Sequence, residues 1–261
     1  MKIRIITAAI ALVVFIAVLL APPVVFSSAL GAVIIFMLYE CYGATGADNK
    51  MKTIGYISAA FIMTALYMRT QTAVFAALMI MLLLHMALVV FEHGKKDYKA
   101  VLSNGFLTAY VVFAMGCVWL TKELYSVSSM LLIFVCAWMT DTCAYFAGSA
   151  VGKHKLIPHV SPKKTVEGAI GGVIGAMISC IIYLILVTDI QIGKALVEGA
   201  AIGFFGGILS QLGDLCASAI KRDTGIKDFG WIFPGHGGFM DRFDSVMFIA
   251  PIILSIVYLF N

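Results

Sequence analysis

Apolar residues run along this chain in nine long stretches separated by short polar breaks. They cover roughly residues 5–21, 23–43, 54–68, 72–91, 101–120, 128–147, 168–188, 195–220 and 241–260. A helix that crosses a bilayer needs about 20 mostly apolar residues. The pattern therefore predicts an all-α, polytopic integral membrane protein with about nine transmembrane helices. The connections are short, so we expect one membrane domain over 1–261, with N-terminal spans in 1–130 and a second set of spans, with the more highly charged loops, in 131–261. The third stretch is short, and Arg69 at its end is placed to snorkel toward the interface. Lys2 and Arg4 ahead of the first stretch imitate a signal peptide. Pro22-Pro23 and an immediate second apolar run fit a retained helix better.

Composition sharpens this picture. Hydrophobic residues make up 62% of the 261 and charged residues only 12%, against about a quarter charged in an ordinary soluble domain. A soluble fold cannot hide so much apolar surface. A soluble enzyme, a nucleic-acid-binding domain and a disordered chain are thereby excluded. The six cysteines fall in or at the ends of apolar stretches, without a CxxC pair. They read as small apolar residues, not as disulfides or a thiolate metal site.

Charge sets the orientation. With the N-terminus in the cytoplasm and nine alternating spans, only Arg69, Lys122 and Lys194 of the 18 Lys and Arg fall on the outer side. That bias is what the positive-inside rule requires. It places the protein in the cell membrane, N-terminus cytoplasmic, with its charged loops facing the cytoplasm.

A few charges lie deeper. A carboxylate at mid-helix costs about 2.5–3.5 kcal/mol on insertion scales, so it needs a reason. Asp141, Asp214, Asp241 and Asp244 stand within or at the start of apolar stretches. Glu40, Glu123, Asp189 and Glu198 lie near span ends, where charge is cheap, and read as interfacial; His85 reads as a packing residue. Around Asp214, at about 100° per residue, Ser210, Gln211, Ser218, Lys221 and Arg222 share one stripe about 120° wide. Such a stripe is either a polar seam gluing helices or a site. An acid at depth with a Lys-Arg pair at the mouth suits a metal held deep with phosphates reaching down to it.

Two loops add chemistry. After Lys227-Asp228, the run Pro234-Gly235-His236-Gly237-Gly238 precedes Asp241-Arg242-Phe243-Asp244. Glycines let backbone amides approach an anion, and a helix N-terminus favours phosphate. His236 adds a donor. The alternative is a capped helix start with Asp241 as N-cap. In the loop 148–168, Lys163 and Lys164 are placed either to contact phosphate or to enforce topology, and Ser161 or Thr165 to cap the next helix. Glycines at 168, 171, 172 and 175, and at 199, 203 and 207, mark close helix contacts. There is no internal repeat and no pair of broken helices in matching halves, which weighs against an ion-coupled transporter using Asp141 and Asp214 as a relay.

Ser218-x-x-Lys221-Arg222, Lys227-Asp228 and Pro234-Gly235-His236-Gly237-Gly238-Phe239-x-Asp241-Arg242-Phe243-Asp244 resemble the signature of the phosphatidate cytidylyltransferases, or CDP-diacylglycerol synthases. The resemblance extends upstream through Gly213-Asp214, Ser161-Pro162-Lys163-Lys164-Thr165-x-Glu167-Gly168 and Asp141-Thr142-x-Ala144-Tyr145-Phe146-x-Gly148. Cys143 stands where glycine or another small residue is expected. The first 130 residues match only in general hydrophobic character.

The resemblance implies a Mg2+-dependent nucleotidyltransferase of phospholipid biosynthesis, converting CTP and phosphatidate to CDP-diacylglycerol and pyrophosphate. Asp214, Asp241 and Asp244, with Asp141 behind them, are then the metal ligands, with room for a second cation. Lys221, Arg222, His236 and Arg242 would be the catalytic groups that hold phosphates. Ser218, Lys163, Lys164, Lys227, Asp228, Gly237 and Gly238 would bind substrate. The implied partners are CTP, phosphatidate and membrane lipids, with a homodimer allowed and no nucleic acid. A cytidylyltransferase acting on another lipid phosphate is the nearest alternative.

Overall fold

The computed structural model describes residues 2–68, 70–94 and 97–260. Arg69, Lys95 and Lys96, to which the topology reading assigned positions, lie outside the described residues, as do the side chains of Lys2 and Arg4. Nine helices occur in the described chain: α1 (Lys2–Leu20), α2 (Pro23–Ala44), α3 (Asn49–Tyr67), α4 (Gln71–Phe91), α5 (Tyr98–Leu124), α6 (Val127–Val151), α7 (Val166–Val187), α8 (Ile192–Asp223) and α9 (Met240–Phe260). Seven, namely α2 and α4–α9, have the length and apolar character to cross a membrane. In α1, the apolar run of described residues is the shorter Ala9–Leu20. Lys50 and Lys52 leave the first turn of α3 polar. The chain is thus an all-α polytopic membrane protein. One small element departs from the helical expectation. The lysine-rich loop after α6 folds into an antiparallel hairpin of β1 (Lys155–Ile157) and β2 (Ser161–Thr165).

The chain divides into two compact units. One comprises Met1–Gly116 with Ile226–Asp241, the other Cys117–Gly225 with Arg242–Asn261. In the first, α1 to α4 pack in sequence order. Tyr42, Met37, Leu38 and Ile62 are almost fully buried there. The Tyr42 hydroxyl meets Thr108 Oγ1 at 2.5 Å, which satisfies a polar group that lipid could not. His85 is buried and its Nδ1 lies 2.8 Å from the Met81 carbonyl, the packing role expected of it.

The second unit is built on α6, α7 and α8. Helix α7 shows why it belongs in a bilayer. Gly168, Gly172, Ala176, Cys180 and Leu184 are buried, while Ile170, Ile174, Ile178, Ile182 and Ile185 stand exposed along another face. Lipid-facing isoleucine on one side and small residues on the other is the division expected where packing, not water, joins helices. A side chain at Gly203 would run into the Met177 backbone, and one at Gly199 into Ile181. Gly171 and Gly175 accept Ala147 and Cys143 in the same way. Cys143 is therefore accommodated because Gly175 opposite it has no side chain.

Candidate functional site

In the second unit, three acids and three bases of the sequence motifs come together from four elements. Asp141 stands on α6, Lys164 on β2, Asp214 and Lys221 on α8, and Arg242 and Asp244 on α9. Lys164 Nζ forms an ion pair with Asp214 Oδ2, with side-chain exposures of 25% and 31%. Asp141 lies within electrostatic reach of Asp214, Lys164 and Arg242. Asp244 lies within reach of Asp214, Lys221 and Asp141. Asp244 is itself buried, and its Oδ1 accepts the Ser245 amide at 2.7 Å. Three carboxylates within electrostatic reach of one another in an apolar bundle repel, and the bases among them offset part of that repulsion.

Local structure explains how these side chains are presented. Thr165 caps α7, its Oγ1 accepting the Gly168 amide at 3.1 Å. A Cβ at Gly152 or Gly168 would crowd that hydroxyl, so the hairpin can lie close to the helix ends. Glu167, in the first turn of α7, accepts the Lys153 amide at 3.0 Å and meets His154 Nδ1 at 2.6 Å. The hairpin is thus fastened at both ends, and Lys164 points from its second strand to Asp214. Lys163, next to it, is exposed.

The polar stripe on α8 separates into two parts. Gln211 Nε2 donates to the carbonyls of Ala169 and Gly207 at 3.1 and 3.0 Å, and the Ser210 carbonyl accepts from Ser245 Oγ at 3.2 Å. These two positions join helices. Asp214 and Lys221 belong to the charged cluster, Ser218 is half-buried beside them in sequence, and Arg222 is exposed.

The first unit holds the glycine-rich loop. Lys227 and Asp228 are exposed in it. Phe233 and Gly237 pair across a tight turn, the Phe233 amide donating to the Gly237 carbonyl at 2.9 Å. Gly237 has φ of +81°, the left-handed region where glycine is favoured. His236 Nδ1 is buried, and among the described residues it meets no hydrogen-bond partner.

The start of α9 differs from the sequence reading. Asp241 is not an N-cap but lies inside the first turn of α9. Its Oδ2 accepts the amides of Phe229 at 2.8 Å and Gly238 at 3.0 Å. The next two amides, of Phe239 and Met240, donate to Glu40 Oε1 and Oε2 at 3.1 and 2.8 Å. The anion at this helix N-terminus is therefore a carboxylate of the protein itself. Glu40, read from sequence as an interfacial charge, is 3% exposed. Nothing in its own neighbourhood in the sequence signals this, because its partners lie about 200 residues away.

The charged cluster suits a hard cation in kind, since all its donors are carboxylate oxygens. Lys164 already places one positive group against Asp214. Among the described residues no three His, Cys, Asp or Glu side chains converge into a ready-made cage. Mg2+ does not require one. It binds through one or two carboxylates, substrate phosphates and retained waters.

Comparison with known proteins bears on the same chemistry. A family described as cytidylyltransferases matches residues 2–260. A phosphatidate cytidylyltransferase of Staphylococcus saprophyticus is 46% identical over 125 residues, which are 48% of this chain and 46% of that protein. One from Bacillus subtilis is 37% identical over 162 residues, 60% of this chain and 59% of that protein. Against the first of these the chain spans about half the relative's length. A phosphatidate cytidylyltransferase of Staphylococcus aureus aligns over 97% of both chains at 33% identity.

Proposed function

Because this chain belongs to the cytidylyltransferase family, we propose that it transfers the cytidylyl group of CTP to phosphatidate, yielding CDP-diacylglycerol and pyrophosphate. The observation that carries this reading is the cluster of Asp141, Lys164, Asp214, Lys221, Arg242 and Asp244 inside one apolar helical unit. Relatives that align with the chain bear the name of this activity.

The chemistry joins two anions at one phosphorus. A phosphate oxygen of phosphatidate attacks the α-phosphorus of CTP. The bond from that phosphorus to the bridging oxygen of the β-phosphate breaks, and the electron pair leaves with pyrophosphate. Such transfers depend on positioning and on stabilising charge, not on a covalent nucleophile on the enzyme. Lys164, Lys221 and Arg242 hold phosphate oxygens and reduce the repulsion between the two substrates. Arg222 and Lys163, exposed beside them in sequence, draw the anions in. Ser218 orients one phosphate by hydrogen bonding. The orphaned Nδ1 of His236 supports a role for that residue as a donor to substrate. Lys227 and Asp228 contact substrate from the same loop. Gly237 and Gly238 give that loop its shape.

Asp214 and Asp244, with Asp141, would hold Mg2+; for Asp241 the assignment to metal rests on the sequence motif alone. When bound, the ion neutralises charge that develops on the phosphates. The site works on the cytoplasmic face of the cell membrane, where CTP is supplied.

The test presents purified protein with radiolabelled CTP, Mg2+ and a panel of lipid phosphates. Label should enter lipid with phosphatidate and stay out when Mg2+ is chelated. Preferential labelling of a polyprenyl phosphate would move the substrate assignment. Turnover unaffected by chelation would remove the metal.

A further inference from the structure

Glu40 and the two carboxylate oxygens it spends on backbone amides have no part in the roles described above. The residue is buried on α2, and among the described residues it has no cationic partner. Its oxygens accept Phe239 at 3.1 Å and Met240 at 2.8 Å. Two glycines make room for it. A Cβ at Gly230 or at Gly238 would collide with the Glu40 carboxylate. The ring of Phe36, one turn earlier on α2, stacks on Phe239 with centroids 5.5 Å apart. Phe233 in turn meets Phe239 edge-on at 4.8 Å. The loop from Phe229 to Asp241 is therefore wrapped on an internal anion, with Asp241 fastening its other side through Phe229 and Gly238.

We infer that Glu40 is a positioning residue: it takes the place of an anion at the start of α9 and holds the 229–241 loop, with His236 in it, in the shape used for CTP. This rests on the cytidylyltransferase reading for its substrate, but not for the geometry. A carboxylate is needed rather than an amide. Glutamine would present one oxygen and one NH2 to two N–H donors, leaving one amide facing another donor. The buried group so stranded loses its hydrogen bond and keeps its desolvation penalty.

Glu40→Gln is measured in two ways. In steady-state kinetics, KM for CTP should rise on the order of tenfold or more, while KM for phosphatidate stays within about twofold. A general loss of fold would instead lower the active fraction and leave both KM values unchanged. In limited proteolysis of the full-length protein in detergent, trypsin should cut after the exposed Lys227 about tenfold faster, because loosening of the loop raises the population open to cleavage.

Gly238→Ala approaches the same contact from the other side and should reproduce both effects. It also keeps the test alive if Glu40→Gln does not fold. The double variant should be no worse than either single, since both break one contact. Wild-type KM for CTP together with wild-type trypsin resistance in both variants would overturn the assignment. If the parent protein does not turn over CTP, the substrate reading fails, and the proteolysis result alone decides whether Glu40 holds the loop.

Discussion

The ion pair between Lys164 and Asp214 offers a way to separate chemistry from packing. Consider Lys164→Met, Asp214→Asn and the two combined. The side chains are 25% and 31% exposed, so the pair lies between a surface salt bridge and a buried one. Exposed pairs contribute about 0.2–1 kcal/mol. Breaking a fully buried pair costs about 3–5 kcal/mol, because one charge is left uncompensated. An intermediate setting places each single variant about 1–3 kcal/mol below the parent in stability. Lys164→Met should lie at the upper end, since it leaves Asp214 beside Asp141 and Asp244 with one base fewer. The double variant leaves no orphaned charge and should regain most of that stability. Activity should behave differently. If Asp214 binds Mg2+ and Lys164 holds phosphate, each single variant loses about 10²- to 10³-fold in kcat/KM, as for removal of one transition-state donor. The double variant should then stay inactive despite its recovered fold. The assay pairs thermal unfolding of the detergent-solubilised protein with CTP incorporation per folded molecule. A double variant that recovers both stability and turnover would show the pair to be helix glue and refute this placement of the site.

Other expectations follow from the same geometry. Asp241→Asn keeps an acceptor oxygen for Phe229 and Gly238 and should fold. If Asp241 also binds metal, the Mg2+ concentration for half-maximal rate rises, whereas an unchanged Mg2+ titration would leave Asp241 as a loop fastener. Gly203→Ala sets a methyl group against the Met177 backbone and should lower stability by about 1–3 kcal/mol, read as a shift in the melting transition; an unshifted transition would mean that α7 and α8 are not packed through Gly203. Alkaline phosphatase fusions in the loop between α4 and α5 and at the C-terminus should report opposite sides of the membrane. The same side for both would remove the nine-span topology.

How much of this could be read from the chain differs by element. The helices were legible because apolar length is dictated by the bilayer, and each predicted stretch corresponds to one of α1–α9. The short third stretch corresponds to α3, whose polar first turn separates it from the seven helices that qualify as spans. The grouping of Asp214 with Lys221 was legible from helical period alone. The assignment of Gln211 to packing was not, because its partner, the Ala169 carbonyl, lies on another helix. The hairpin was missed for a related reason. Its lysines read as a topology signal, and Pro162 within β2 argues against a strand unless the strand is an edge. In a two-stranded hairpin both strands are edges. Glu40 was misread most fully. Local context shows an acid near a span end, and only the fold reveals the two amides and two glycines that enclose it. The glycines at 230 and 238 were the available signal, but sequence does not say which anion a glycine makes room for.

The measurement that bears most directly on the central claim follows the phosphorus atoms of CTP. Purified protein is given phosphatidate and Mg2+ with CTP labelled either at the α- or at the γ-phosphate. Cytidylyl transfer predicts that α-label enters the lipid fraction as CDP-diacylglycerol, while γ-label appears only in pyrophosphate, in equal amount. Label from the γ-position in lipid, or pyrophosphate release without lipid labelling, would contradict it.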